Sequence, residues 1–160
     1  MSFSSLELRD ALGRFATGVC LVTAIDANGD AIAVTVNSFS SVSLEPPLIL
    51  WSVQKDSDVY GVFSAAERFA VGVLTEEQEA FSTTYAQKGG HQLHGDHFRP
   101  GHNGAPLVEG ALVNFECSLE RALEGGDHTI LLGRVTRVVT AAEDEGAPLL
   151  FFGGAYRQLS

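Results

Sequence analysis

The strongest constraint on the fold lies in the C-terminal third, where two long apolar runs, residues 111–123 and 129–140, stand back to back around Gly125-Gly126. A glycine pair between two β-type runs is a hairpin connection, and it leaves no room for a crossover helix. Parallel strands need such a crossover, so a parallel α/β sheet is excluded here. The N-terminal third repeats the pattern. Residues 19–25 are rich in β-branched side chains, end in Asp26-Ala27-Asn28-Gly29-Asp30, and are followed by a return run over residues 31–36. Asn-Gly supplies the left-handed backbone that a tight turn requires.

Helices fill the gaps between these strands. Ser4 and Glu7 form a capping-box pair ahead of Leu8, Ala11, Leu12 and Phe15, which recur at helical spacing until Gly18. Pro46-Pro47 opens a strand over residues 48–53, and Asp56 is placed to cap a short helix whose apolar face is Val59, Val62, Phe63 and Ala66. A strand over residues 69–74 precedes a second capping box, Thr75 with Gln78, and a helix reaching about Gln87 with Ala80, Phe81 and Tyr85 on one side. Residues 149–152 read as a last short strand. The expectation is a single domain over residues 1–160, mainly β, a closed antiparallel barrel with a few peripheral helices.

The chain carries a formal net charge of −10 with only ten Lys and Arg. Phosphate backbones and anionic lipid repel such a surface, so neither nucleic acid nor membrane is expected as a partner. Any phosphate must be met by a local site of backbone N–H groups, hydroxyls and a few cations. Cys20 and Cys117 each sit inside an apolar run without metal-type spacing, and read as buried core thiols suited to a reducing cytoplasm. The first residues show neither a basic nor an apolar leader segment, and no apolar stretch approaches membrane-span length.

Dinucleotide and phosphate-loop glycine motifs are absent. Four segments carry polar chemistry. Residues 35–43 (Thr35-Val36-Asn37-Ser38-Phe39-Ser40-Ser41-Val42-Ser43) hold five hydroxyls and one amide, either a solvated strand end or a rim that hydrogen-bonds a heterocycle. Lys55-Asp56-Ser57 opens a helix and reads as ordinary capping or as an anion site. Asp127-His128-Thr129 puts a histidine at the start of an outgoing strand, solvated or donating to a ligand. Residues 88–105 hold five Gly, four His and a Pro without periodicity. The spacing of His91, His94 and His97 hints at metal, but Gly89, Gly90 and Gly95 oppose the rigid geometry a metal needs, and the expectation is a flexible polar loop with no metal.

The order of these segments resembles the short-chain flavin reductase family, the reductase components of two-component flavin-dependent monooxygenases. The resemblance is carried by Gly13-Arg14-Phe15-Ala16-Thr17-Gly18-Val19, by Thr35 through Ser43 with Leu44-Glu45-Pro46-Pro47, by Arg68-Phe69-Ala70-Val71, Gly110-Ala111-Leu112 and Glu116-Cys117, and by Gly126-Asp127-His128-Thr129. It runs over residues 5–156. It implies an FMN-binding split barrel, a homodimer with flavin near the subunit interface, FMN or FAD as flavin, NADH or NADPH as donor, and a separate oxygenase component as recipient. By the same resemblance Thr35, Val36, Asn37, Ser38, Ser41, Val42 and Ser43 contact the flavin ring and ribityl chain. Ser52, Val53, Lys55 and Ser57 meet the phosphate, Phe81 precedes the segment over the pocket, and His128 lies by both rings as the one catalytic side chain. Trp51 stands where smaller residues are usual. The other readings are a flavin-binding oxidase or sensor on the same barrel with tightly held flavin, and a ligand-binding barrel without activity.

Overall fold

The computed structural model describes residues 2–142 and 146–160, so Met1, the first residue of the segment read for a leader, lies outside them. Its main sheet has seven strands: β2 (Cys20–Ile25), β3 (Ala31–Val36), β4 (Ser40–Leu44), β5 (Pro47–Gln54), β6 (Arg68–Val73), β9 (Val113–Gly125) and β10 (His128–Thr140), in the spatial order β3-β2-β6-β9-β10-β5-β4. All neighbours are antiparallel. Short strands β1 (Thr17–Gly18), β11 (Leu150–Phe152) and β12 (Ala155–Arg157) form a small sheet, and β7 (Phe98–Pro100) pairs with β8 (Pro106–Val108). Three α-helices flank the strands among the described residues: α1 (Ser5–Leu12), α2 (Tyr60–Ala65) and α3 (Glu79–Ala86).

The mainly β architecture and the two hairpins agree with the sequence. The barrel, however, does not close as a hydrogen-bonded cylinder. The ladder begins at β3 and ends at β4, two strands consecutive in the chain and separated only by residues 37–39. Four peptide units span at most about 14 Å, so the two edges must come close together. The sheet curls around one core in which Trp51 of β5, Phe69 of β6, Val22 of β2, Cys117 of β9 and Leu131 of β10 are all nearly inaccessible. Along β10, Thr129, Leu131 and Gly133 turn inward at period two, with Leu131 opposite Trp51. Phe63 of α2 plugs the core, meeting Trp51 edge-on at 5.1 Å between ring centres.

Three other expectations change. The Ser4–Glu7 capping box forms, with the Glu7 N–H donating to Ser4 Oγ at 3.1 Å. Its helix nevertheless buries nothing, and Leu8, Leu12 and Phe15 are all exposed. Asp56 does not cap α2; the Ser57 hydroxyl accepts from the Val59 N–H instead, because Ser57 is the residue two positions ahead of it. Residues 88–105 are no free loop. Residues 91–93 lie along the outer edge of β3, with the Ala33 N–H donating to the His91 carbonyl and the Leu93 N–H to the Ala31 carbonyl, both at 2.8 Å. An edge strand with unpaired amides takes up whatever backbone lies beside it.

Gly72 of β6 packs under β8, whose Val108 is clamped by the Asn114 amide through bonds of 2.9 and 3.1 Å. A Cβ at Gly72 would stand 2.7 Å from Val108 Cγ2 and 2.9 Å from Asn114 Oδ1. Gly72→Ala is expected to lower stability by about 1–3 kcal/mol, read as a lower urea midpoint with an unchanged slope. An unshifted midpoint would show that β8 yields freely. Burial also pushes the thiols of Cys20 and Cys117 up to about 12. Neither is expected to react with a thiol reagent in the native protein at about pH 8, and both should react once unfolded.

Candidate functional site

Where the edges of the curled sheet approach one another, the chain leaves a cleft of about 510 Å³, a volume suited to a small-molecule cofactor. One wall is the end of β3 and the link beyond it, with Thr35, Val36, Asn37 and Ser38. The facing wall is β5 and its continuation, with Trp51, Ser52, Val53 and Ser57. His128, the first residue of β10, enters beside Gln54, its ladder partner.

Each polar residue is held in place. Ser38 Oγ accepts from the Ser52 N–H at 3.0 Å and donates to the Ser52 carbonyl at 3.2 Å. One hydroxyl thus does what a strand neighbour would do for Ser52, and it ties the two walls together. Thr35 Oγ1 donates to the Ser82 carbonyl at 2.7 Å, fixing β3 to α3. His128 Nδ1 lies 2.7 Å from Asp127 Oδ1 and donates to it, which leaves Nε2 free. That hydrogen bond, with the charge of the ring, holds the Asp127 carboxyl below its ordinary value.

Other residues named from the sequence lie elsewhere. Lys55 does not line the cleft. Its ammonium pairs with Glu124, which raises it above the ordinary lysine value. Ser41, Val42 and Ser43 sit on β4 outside the cleft lining, with Val42 exposed. Phe81 packs against a separate apolar cluster that includes Leu21, Leu74 and Tyr85, and stacks on His97 at 4.0 Å between ring centres.

The cleft holds groups that sequence reasoning passed over, Gln54, Asp58, Ala86 and Lys88, and it holds His91, which the sequence offered only as a metal ligand. Asp58 Oδ2 accepts from the Gly89 N–H at 2.6 Å, and its Oδ1 lies 2.9 Å from His91 Nε2. Of the three histidines with metal-like spacing, His91 stands apart with Asp58 and Ala33, while His97 Nδ1 meets the Tyr85 hydroxyl at 2.8 Å and the His94 N–H donates to that same hydroxyl. Among the described residues no cluster of His, Cys, Asp or Glu has metal-binding form. The only signal that might have found Lys88 is its position just after α3, and it needs the fold to be read.

A larger groove of about 810 Å³ lies on the other side of Asp58, between the turn after β2 and α2. Three carboxylates, Asp26, Asp58 and Glu67, face one guanidinium there, that of Arg68. Its size is greater but its charge suits no anion, so the smaller, hydroxyl-lined cleft is the better cofactor site.

Comparison with known proteins agrees with this architecture. Residues 12–160 match the family described as flavin reductase like domain. The chain is 43% identical over 157 residues to the FMN reductase (NADH) SmoA of Agrobacterium fabrum, covering 98% of this chain and 87% of that protein. It is 34% identical over 148 residues to HsaB of Mycobacterium tuberculosis, the reductase subunit of a flavin-dependent monooxygenase, covering 92% and 79%. The solved structure of the NADH:FAD oxidoreductase SgcE6 of Streptomyces globisporus, in complex with NAD and FAD fragments, superposes with a TM-score of 0.89 at 38% identity, covering 97% of this chain and 92% of that one. With the match spanning almost the whole chain and this degree of identity, the protein belongs to the flavin reductase-like domain family.

Proposed function

We propose that this chain is an NAD(P)H-dependent flavin reductase that reduces FMN or FAD and releases the reduced flavin to a separate flavin-dependent oxygenase. The observation that carries the reading is the hydroxyl-lined cleft between the end of β3 and β5, with Lys88 and His128 in its lining. The residues present fit a flavin nucleotide. Asn37, Ser38, Ser52 and Ser57 offer amide and hydroxyl groups to a polar heterocycle and ribityl chain, and Lys88 offers the cation a phosphate needs. When bound, the flavin supplies acceptance of a hydride from the nicotinamide. The protein's part is to orient and to balance charge, so no strong nucleophile is required of it. His128, with Nδ1 committed to Asp127, turns its remaining nitrogen to the bound rings as a hydrogen-bonding group.

In this reading the Ser38–Ser52 pair fastens the link after β3 to β5, one step beyond the Ser40–Leu50 end of the β4–β5 ladder. The working form is a homodimer of one-domain chains in the cytoplasm. The uncovered apolar side chains of α1 and its C-terminal extension, Leu6, Leu12 and Phe15, support an association surface. Among the described residues no helix is long and apolar enough to cross a membrane.

The test is NADH and NADPH consumption with and without added flavin. Turnover that requires added FMN or FAD is expected; a tightly held flavin without turnover would point to an oxidase or sensor instead. His128→Ala should lower the rate at least several-fold, in line with loss of a positioned donor. An unchanged rate removes it from the reaction. Lys88→Ala is expected to weaken FMN binding about tenfold through loss of one charge-assisted contact, and riboflavin binding much less. Equal losses for the two flavins would place the phosphate away from Lys88.

A further inference from the structure

His91 lies at the cleft wall with 8% of its surface exposed, and both ring nitrogens face acceptors. Nδ1 is 3.0 Å from the Ala33 carbonyl and Nε2 is 2.9 Å from Asp58 Oδ1. A carbonyl and a carboxylate only accept, so the doubly protonated ring alone satisfies both. A neutral ring leaves one nitrogen lone pair against an oxygen. The main-chain bonds of residues 91–93 to β3 hold the ring in this position.

The charge on the other side of the pair is secure. Partial desolvation works to raise the Asp58 carboxyl, yet the Gly89 N–H and the neighbouring His91 together hold it below the ordinary carboxylate value. It therefore stays ionised at neutral pH. The charged and titratable groups that share the lining with His91 are Asp56 and Asp58 after β5, Lys88 in its own segment and His128 of β10. There β3 presents only Val34, Thr35 and Val36, and α3 presents Ala86, while Tyr85 is engaged with His94 and His97.

We infer that His91 is a positioning residue that acts through Asp58, its imidazolium cancelling that carboxylate so that, of the two carboxylates in the lining, only Asp56 is left to oppose Lys88 where the anionic part of the cofactor binds. With both ring nitrogens donating, the His91–Asp58 pair has no net charge. Without the imidazolium, a second negative charge joins the Asp56 carboxylate in the lining of a cleft that must hold phosphate. Affinity for a phosphorylated flavin then falls, while affinity for an uncharged one does not. This rests on the cleft being the flavin site.

The experiment measures binding of FAD and of riboflavin, followed by flavin fluorescence, to the wild type, His91→Gln and His91→Gln with Asp58→Asn. FAD is chosen because its pyrophosphate is charged at neutral pH. At about pH 7, His91→Gln is expected to bind riboflavin within about twofold of the wild type but FAD about fivefold more weakly. Adding Asp58→Asn should restore FAD binding, which a merely structural role of His91 would not do. Parallel losses for the two flavins, unchanged FAD binding in His91→Gln, or failure of the second substitution to restore binding overturns the inference. Should His91→Gln not fold, nitrogen NMR of the wild-type imidazole decides: a doubly protonated ring at about pH 6 supports the inference and a neutral one overturns it. Absence of all flavin binding by the wild type defeats the reading of the cleft itself, a result distinct from these.

Discussion

The geometry of the site depends on how a seven-stranded antiparallel sheet deals with its two ends. The strands at those ends are consecutive in the chain, so only three residues link them. Ser38 fastens that link to β5, with one hydroxyl that accepts from and donates to the backbone of Ser52 just beyond the β4–β5 ladder. A larger side chain would force the walls apart, and an apolar one would leave a strand amide and carbonyl without partners. The cleft lies between the end of β3 with its link and β5, which that hydroxyl ties together. The same short polar residues that make the seam possible also line what it opens.

Charge is handled with similar locality. A chain of net charge −10 is a poor host for phosphates in general, and the structure meets this by assigning several carboxylates near the site to partners, Asp56 of the lining excepted. Glu124 is taken up by Lys55, Asp127 by His128, and Asp58 by His91 and the Gly89 amide. What remains for a ligand is Lys88, which has no ion-pair partner among the described residues. The cation count of the whole protein thus says little about its capacity to hold an anion at one place.

Much of this was legible in the sequence where local chemistry decides the outcome. Asn28-Gly29 and Gly125-Gly126 mark their hairpins because few residues other than glycine tolerate the turn conformation, and Gly29 and Gly126 both have positive φ. Thr35, Ser38, Ser52 and His128 form a group only by the family resemblance, and the fold does bring them together. What escaped notice depends on distance. Strand β4 was hidden because serines carry no strand period, and only its ladder to β5 gives it form. Lys55 and Lys88 look equally available as letters; the pairing of one with Glu124, 69 residues on, is a tertiary fact. The glycine- and histidine-rich stretch reads as loose, yet the open edge of β3 organises it. The capping box of α1 forms as read, but the burial of its apolar residues does not follow from their spacing alone.

Trp51 is the chain's single tryptophan, and it is packed against Phe63 and Phe69 while lining the same cleft. Its indole is therefore in a rigid, dry setting at short range from any occupant, with no second indole to dilute its emission. Flavins absorb where tryptophan emits. The protein consequently carries an intrinsic optical gauge of its own loading state, built from a side chain whose structural duty is to fill the barrel.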